Sequence, residues 1–131
     1  GVLTPGSEGS TFGGYPLACV VSIFATKVLV DQNLAKNARI RGAQLMQHFE
    51  DIKSEFPDKI KEVRGKGLLI AFEMFNKPQL DGHRVSLELL NHGVYAKETH
   101  HSTVRIAPAL TIEAWQIDNI AEAVRDVISN L

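Results

Sequence analysis

Two adjacent hydroxyls, Ser10 and Thr11, lie inside the stretch Gly6-Ser7-Glu8-Gly9-Ser10-Thr11-Phe12-Gly13-Gly14-Tyr15-Pro16. Glycine lets a backbone turn sharply and approach a ligand closely. Hydroxyls and free amides ahead of a helix start suit a phosphate or another anion. Taken alone, the stretch reads as a polar turn entering a helix, because no Walker-type lysine follows. Arg105 is the second candidate. Its planar fork can hold a carboxylate through two parallel hydrogen bonds; the alternative is an exposed strand arginine. Gly65-Lys66-Gly67 fits no phosphate cradle, since a strand follows, and these glycines are expected to shape a tight approach between strands. Arg64 beside them is either an anion contact or an ion-pair partner. His100 and His101 are neighbours, and neighbours in a strand point to opposite faces. No cysteine or carboxylate cluster completes a metal set with them, so an exposed hairpin is expected and no metal site. His48 reads as a surface or core-edge residue and Lys27 as a solvated lysine. Cys19 reads as a buried packing thiol.

These residues must be positioned by a chain of 131 residues, which fits one domain with a modest core. Hydrophobic residues make up 44% and charged residues 22%, as in ordinary globular proteins. A net charge of −1 gives no electrostatic footprint for nucleic acid. No apolar run approaches the roughly 20 residues that span a bilayer. Neither a nucleic-acid nor a membrane partner is expected. The single Cys19 allows no internal disulfide and fits a reducing compartment. No signal-peptide pattern occurs; the chain starts without Met, so a targeting segment of a longer parent would lie outside it.

Pro16 suits the first turn of a helix, and Leu17, Val20, Val21, Phe24 and Val28 give that helix an apolar face. Asp31-Gln32-Asn33 breaks the pattern, with Asn33 as the cap of a second helix. That helix carries Leu34, Ala38, Leu45, Phe49, Ile52 and Phe56 and ends before Pro57. Gly42 falls on its apolar face, as expected for a close helix contact. A strand is expected over Ile60–Arg64 and another over Leu68–Phe75, with Leu68, Ile70, Phe72 and Met74 on one face. Asn76-Lys77-Pro78-Gln79 reads as a loop. Asp81 caps a short helix bearing Val85, Leu89 and Leu90, and Gly93 ends it. Val94-Tyr95-Ala96 reads as a short strand, Glu98–Ser102 as a polar connection, and Val104-Arg105-Ile106 as a strand closed by Pro108. Thr111 caps the last helix, whose inner face is Ile117, Ile120, Ala121, Val124, Val127, Ile128 and Leu131, and Glu113 favours its positive end.

The order Gly-Ser-Glu-Gly-Ser-Thr-Phe-Gly-Gly-Tyr-Pro-Leu-Ala resembles the segment that follows the catalytic lysine in class III, pyridoxal-phosphate-dependent aminotransferases. Val63-Arg64-Gly65-Lys66-Gly67-Leu68-Leu69 and Val104-Arg105-Ile106-Ala107-Pro108-Ala109-Leu110 agree with the same family in the same order. Together they resemble its ornithine aminotransferase branch most, and the similarity runs the length of the chain. Tyr15, Glu8 and Ala109 depart from the usual asparagine, histidine and proline. Glu8 would weaken anion binding if it pointed toward the Ser10–Thr11 loop.

The resemblance implies an α+β fold: a small, mainly antiparallel sheet covered by helices, as in the C-terminal small domain of a fold-type I transferase. It implies a cofactor-phosphate loop over 1–15, a connecting helix over 16–33 and the small domain over 34–131. Ser10 and Thr11 would reach the phosphate of pyridoxal 5′-phosphate in a neighbouring subunit, so a homodimer is implied. Arg105 would bind the substrate carboxylate. The implied parent reaction moves the δ-amino group of ornithine to 2-oxoglutarate, linking arginine breakdown to proline synthesis. The family's cofactor-anchoring lysine has no counterpart here, so no catalytic residue is assigned and the chain alone is expected to be inactive. The parent is expected in the cytoplasm, or in the mitochondrial matrix of a eukaryote. Alternatives are an acetylornithine or 4-aminobutyrate aminotransferase, or a non-catalytic dimerisation domain.

Overall fold

A computed structural model describes residues 4–77 and 80–131. Pro78 and Gln79, in the expected loop, lie outside the described residues. The Cα trace forms two compact units, Gly1–Leu34 and Ala35–Leu131. No single described helix is long and apolar enough to cross a membrane.

In the first unit, tight turns lead into helix α1, Pro16–Asp31, with the proline at its start. A proline there loses no intrahelical bond and arrives with its φ already helical. α1 contains no buried residue. Cys19 is therefore exposed, against the expectation of a packing thiol. Lys27 is solvent-facing and pairs with Asp31 one turn on, at 2.6 Å. Asn33 does a different job from the expected cap. It adopts φ 51° and donates its amide to the Val30 carbonyl at 3.0 Å. A left-handed residue just past the last turn closes a helix C-terminus, and asparagine tolerates that conformation.

The second unit holds the rest of α2 (Leu34–Glu55), β1 (Ile60–Lys66), β2 (Leu69–Met74), α3 (Gly82–Asn91), β3 (Lys97–Thr99), β4 (Thr103–Ile106) and α4 (Ala114–Ser129). The four strands form one antiparallel sheet in the order β1-β2-β4-β3. The expected small, helix-covered α+β sheet is present. Alternation sends Ile70, Phe72 and Met74 of β2 inward beside Val104 and Ile106 of β4. Phe72 meets Phe49 of α2 edge to face at 5.6 Å. Leu45, Ile52, Val85, Leu89, Ile117, Val124 and Ile128 complete one continuous apolar cluster.

The Gly42 side of α2 meets the β1–β2 turn, where the sequence suggested another helix. A Cβ at Gly42 would stand 2.7 Å from Gly67 Cα and nearer still to its carbonyl. Gly65 does shape a close approach between strands: a Cβ there would lie 2.7 Å from Ile70 Cα. Leu68 is buried, but in the turn before β2.

Asp81 caps α3, its Oδ1 accepting from the His83 amide at 3.2 Å. Val85 and Leu89 are buried, whereas Leu90 is 53% exposed and off the inner face. The strand expected at Val94–Ala96 instead occupies Lys97–Thr99. Gly93 and Val94 give their amides to Leu90 and Leu89 carbonyls, at 3.0 and 2.8 Å, which closes α3 in a Schellman arrangement. The Val94 amide is thereby spent on the helix end and not on a ladder. Thr111 does not cap α4. Glu113 does, with Gln116 Oε1 accepting from its amide at 2.9 Å. Lys59 reaches the other end of α4, donating to the Ile128 carbonyl at 2.7 Å.

Candidate functional site

The antiparallel register lines up residues that are distant in sequence. Ala71 pairs with Arg64 on β1 and with Arg105 on β4. The inner face takes Ile70, Phe72, Val104 and Ile106, so Arg64, Ala71 and Arg105 stand on the opposite, open face. Two strand spacings put the arginine Cα atoms about 10 Å apart. The methyl of Ala71 leaves the space between them clear. One step along, Glu62, Glu73 and Thr103 form the next row, with Thr99 beyond Thr103. Arg64, Ala71, Thr99, His100, Thr103 and Arg105 line a concavity of about 540 Å³.

The two arginines differ in company. Arg64 Nη1 lies 2.8 Å from Glu73 Oε2 and 3.2 Å from Glu62 Oε2. Lys61, displaced by the register shift between Ile60 and Glu62, donates to Glu73 Oε1 at 2.7 Å. The hydrogen bond from Lys61, then that from Arg64, holds the Glu73 carboxyl below its ordinary 4.5. Of the two expected roles for Arg64, the ion pair is the one observed. Arg105 has no hydrogen bond or ion pair among the described residues. β4 holds it rigidly by pairing on both edges. Asn37 of α2 steadies the chain leaving β4 by donating to the Leu110 and Ile112 carbonyls at 2.7 and 3.0 Å.

His100 and His101 form the β3–β4 hairpin turn, both left-handed at φ 53° and 62°. Their backbone ties that turn down: the His101 carbonyl accepts from Gly82 at 2.7 Å, and the Ser102 carbonyl accepts from Met74 at 2.8 Å. Among the described residues no group of three metal-ligating side chains forms. His48 is at the core edge, as expected, and has a partner that sequence reading did not supply. Its Nε2 lies 2.9 Å from Asp118 Oδ1, which also accepts from Gln44 at 2.7 Å. These two bonds, His48 first, lower the Asp118 carboxyl from its ordinary 3.8.

Ser10 and Thr11 belong to the first unit. Both are exposed in a turn whose Gly13 amide donates to the Ser10 carbonyl at 3.3 Å. The Thr11 amide makes no backbone hydrogen bond among the described residues. The turn runs into the start of α1, which has no side-chain cap. Exposed hydroxyls, a free amide and a helix N-terminus form a donor set that suits a phosphate dianion.

The model of the aminotransferase class-III family matches residues 1–128. The chain belongs to this family. It is 42% identical over 127 residues to ornithine aminotransferase 1 of Staphylococcus saprophyticus, covering 97% of the chain and 30% of that protein. It is 40% identical over 129 residues to the mitochondrial ornithine aminotransferase of Arabidopsis thaliana, covering 96% and 27%. Among solved structures, the acetylornithine aminotransferase of Elizabethkingia anophelis superposes with a TM-score of 0.86 at 34% identity, over 99% of this chain and 32% of that one. The ornithine δ-aminotransferase of Plasmodium falciparum gives 0.82 at 36%, over 98% and 33%. The chain thus spans about 30% of the length of the class III aminotransferases it matches.

Sequence reading missed Glu73, Thr99 and Thr103 around Arg105. Alternation in β2 marks Glu73 as facing away from Phe72, but no local signal supplies the register that sets it beside Arg64.

Proposed function

We propose that this chain is the C-terminal part of an ornithine–oxo-acid aminotransferase, which moves the δ-amino group of ornithine to 2-oxoglutarate with pyridoxal 5′-phosphate. The observation that carries this reading is Arg105, a guanidinium on a rigid strand with no partner among the described residues, lining a concavity whose other arginine is already paired with Glu73. A guanidinium so placed offers two parallel donors to a carboxylate without first breaking an internal ion pair. Its work is orientation: holding the carboxylate turns the reacting end of the substrate toward the cofactor. The Thr11 and Ser10 hydroxyls and the Thr11 amide donate to the cofactor phosphate and hold it without proton transfer. When bound, pyridoxal phosphate supplies the electron sink that makes the transfer possible.

The anchoring lysine has no matching position in this chain, so the 131 residues alone are proposed to be inactive. A phosphate loop that serves the neighbouring subunit requires a homodimer. The cytoplasm is the proposed location, or the mitochondrial matrix in a eukaryote; the naming of the Arabidopsis thaliana relative supports the second.

Kinetics on the enzyme that carries this chain test the reading. Ornithine with 2-oxoglutarate should give glutamate and glutamate semialdehyde with a higher kcat/KM than N-acetylornithine or 4-aminobutyrate gives. The closeness of the acetylornithine enzyme, at a TM-score of 0.86, supports a second reading with that donor. A preference for N-acetylornithine in the same assay would select it.

A further inference from the structure

We propose that Lys97 is a second cation at the carboxylate contact: with Arg105 it forms a two-cation seat for one carboxylate of the substrate. This rests on the reading of Arg105 as the carboxylate contact and adds a residue to it.

The register sets Lys97, on the edge strand β3, directly opposite Arg105 of β4. Val104 and its partner Glu98 take the inner side, so Lys97 and Arg105 share the open face, and both are exposed. Cross-strand partners hold their Cβ atoms about 4.5–5.5 Å apart, and like charges so placed repel. Elsewhere on this face cations meet carboxylates. Glu73 takes Lys61 at 2.7 Å and Arg64 at 2.8 Å, and Glu62 approaches Arg64 at 3.2 Å. Glu98 follows Lys97 in the chain but turns to α3, where its Oε2 lies 2.8 Å from His83 Nδ1. Among the described residues neither Lys97 nor Arg105 has an ion pair. The two cations therefore keep a repulsion that a bound anion would relieve. A carboxylate has about four acceptor sites, so the two donors of the Arg105 fork leave room for the Lys97 ammonium. Lys66, also without an ion pair among the described residues, lines the concavity from β1. Two and three strand spacings, about 10 and 14 Å, separate its strand from those of Arg105 and Lys97. It adds to the field over the face from a distance. An edge-strand lysine also deters strand pairing, a role indifferent to carboxylates.

Arginine Nε NMR of the full 131-residue chain, titrated with acetate at matched ionic strength, tests the seat. In the wild type acetate should shift the Arg105 resonance. Lys97→Met should weaken that binding at least about fivefold, and Lys97→Arg should restore it to within about twofold. Lys66→Met removes the same charge from the same face at a greater distance and should change it by less than about twofold. Without acetate, Lys97→Met should melt about 1–4 °C above the wild type in low salt, and the gain should disappear at about 1 M sodium chloride. In the enzyme that carries this chain, Lys97→Met should raise the KM for 2-oxoglutarate about 3- to 10-fold and leave kcat within about twofold. Equal acetate affinity in Lys97→Met and the wild type overturns the seat and leaves Arg105 as a lone contact. Equal losses in Lys97→Met and Lys66→Met also overturn it, because the lysine would then act only through the general field. A Lys97→Met that melts below the wild type in low salt opposes it too, since no repulsion would have been relieved. An Arg105 that ignores acetate in the wild type refutes the reading of Arg105 itself, and the seat with it. Should Lys97→Met fail to fold, Lys97→Gln carries the same comparisons.

Discussion

Arg105→Ala in the enzyme that carries this chain should raise the KM for 2-oxoglutarate by roughly 10- to 100-fold, the loss of a charged hydrogen-bond contact of about 1.5–3 kcal/mol. Arg105 has no partner among the described residues, so denaturant midpoints should move by no more than about 0.5 kcal/mol. The carboxyls of Glu73 and Asp118 carry the acid response. Each is held below its ordinary value in the fold, so each adds stability above that value and loses it as pH falls through its depressed one. The melting temperature of Asp118→Asn should therefore lie below that of the wild type at neutral pH and converge with it below the ordinary 3.8 of that carboxyl. A gap that persists or widens in acid would remove His48–Asp118 as the source. Residue type and motif marked Arg105 in the sequence. Its isolation was not legible, because that depends on Glu73 and Lys61 meeting Arg64 across a hairpin register.

At the scale of elements, the tightest fit is α2 against the β1–β2 turn. Gly42→Ala must push the Gly67 backbone aside and should cost about 1–3 kcal/mol in urea unfolding. Phe72→Ala, emptying the space facing Phe49, should cost about 3–5 kcal/mol. Period-3.6 spacing was enough to read α2, and strict alternation was enough to read β2. The Asp81 cap was equally plain. The sequence misplaced β3 by three residues because Val94 and Ala96 are apolar and inward, as in a strand, while the Val94 amide serves the end of α3. Thr111 and Asn33 misled for a related reason. Both are good caps by type, but Glu113 has the Gln116 partner, and Asn33 takes the left-handed conformation that ends α1.

At the scale of the molecule, the core is concentrated in Ala35–Leu131, and α1 buries nothing. A chain shortened to residues 34–131 should keep a single cooperative unfolding transition with a midpoint in urea close to that of the whole chain. Two separate transitions, or loss of the sheet signal, would contradict this. The whole chain with added pyridoxal phosphate, ornithine and 2-oxoglutarate should form no semialdehyde above the buffer blank. The order of three motifs was sufficient to place the chain in its family, whereas the exposure of α1 was not visible from its apolar spacing. Periodicity says which residues share a face, but not what covers it. The lone thiol of Cys19 rides on that helix. A maleimide fluorophore should therefore couple to native protein at one site, giving a built-in optical reporter whose quenching or shielding would time the arrival of whatever surface eventually covers α1.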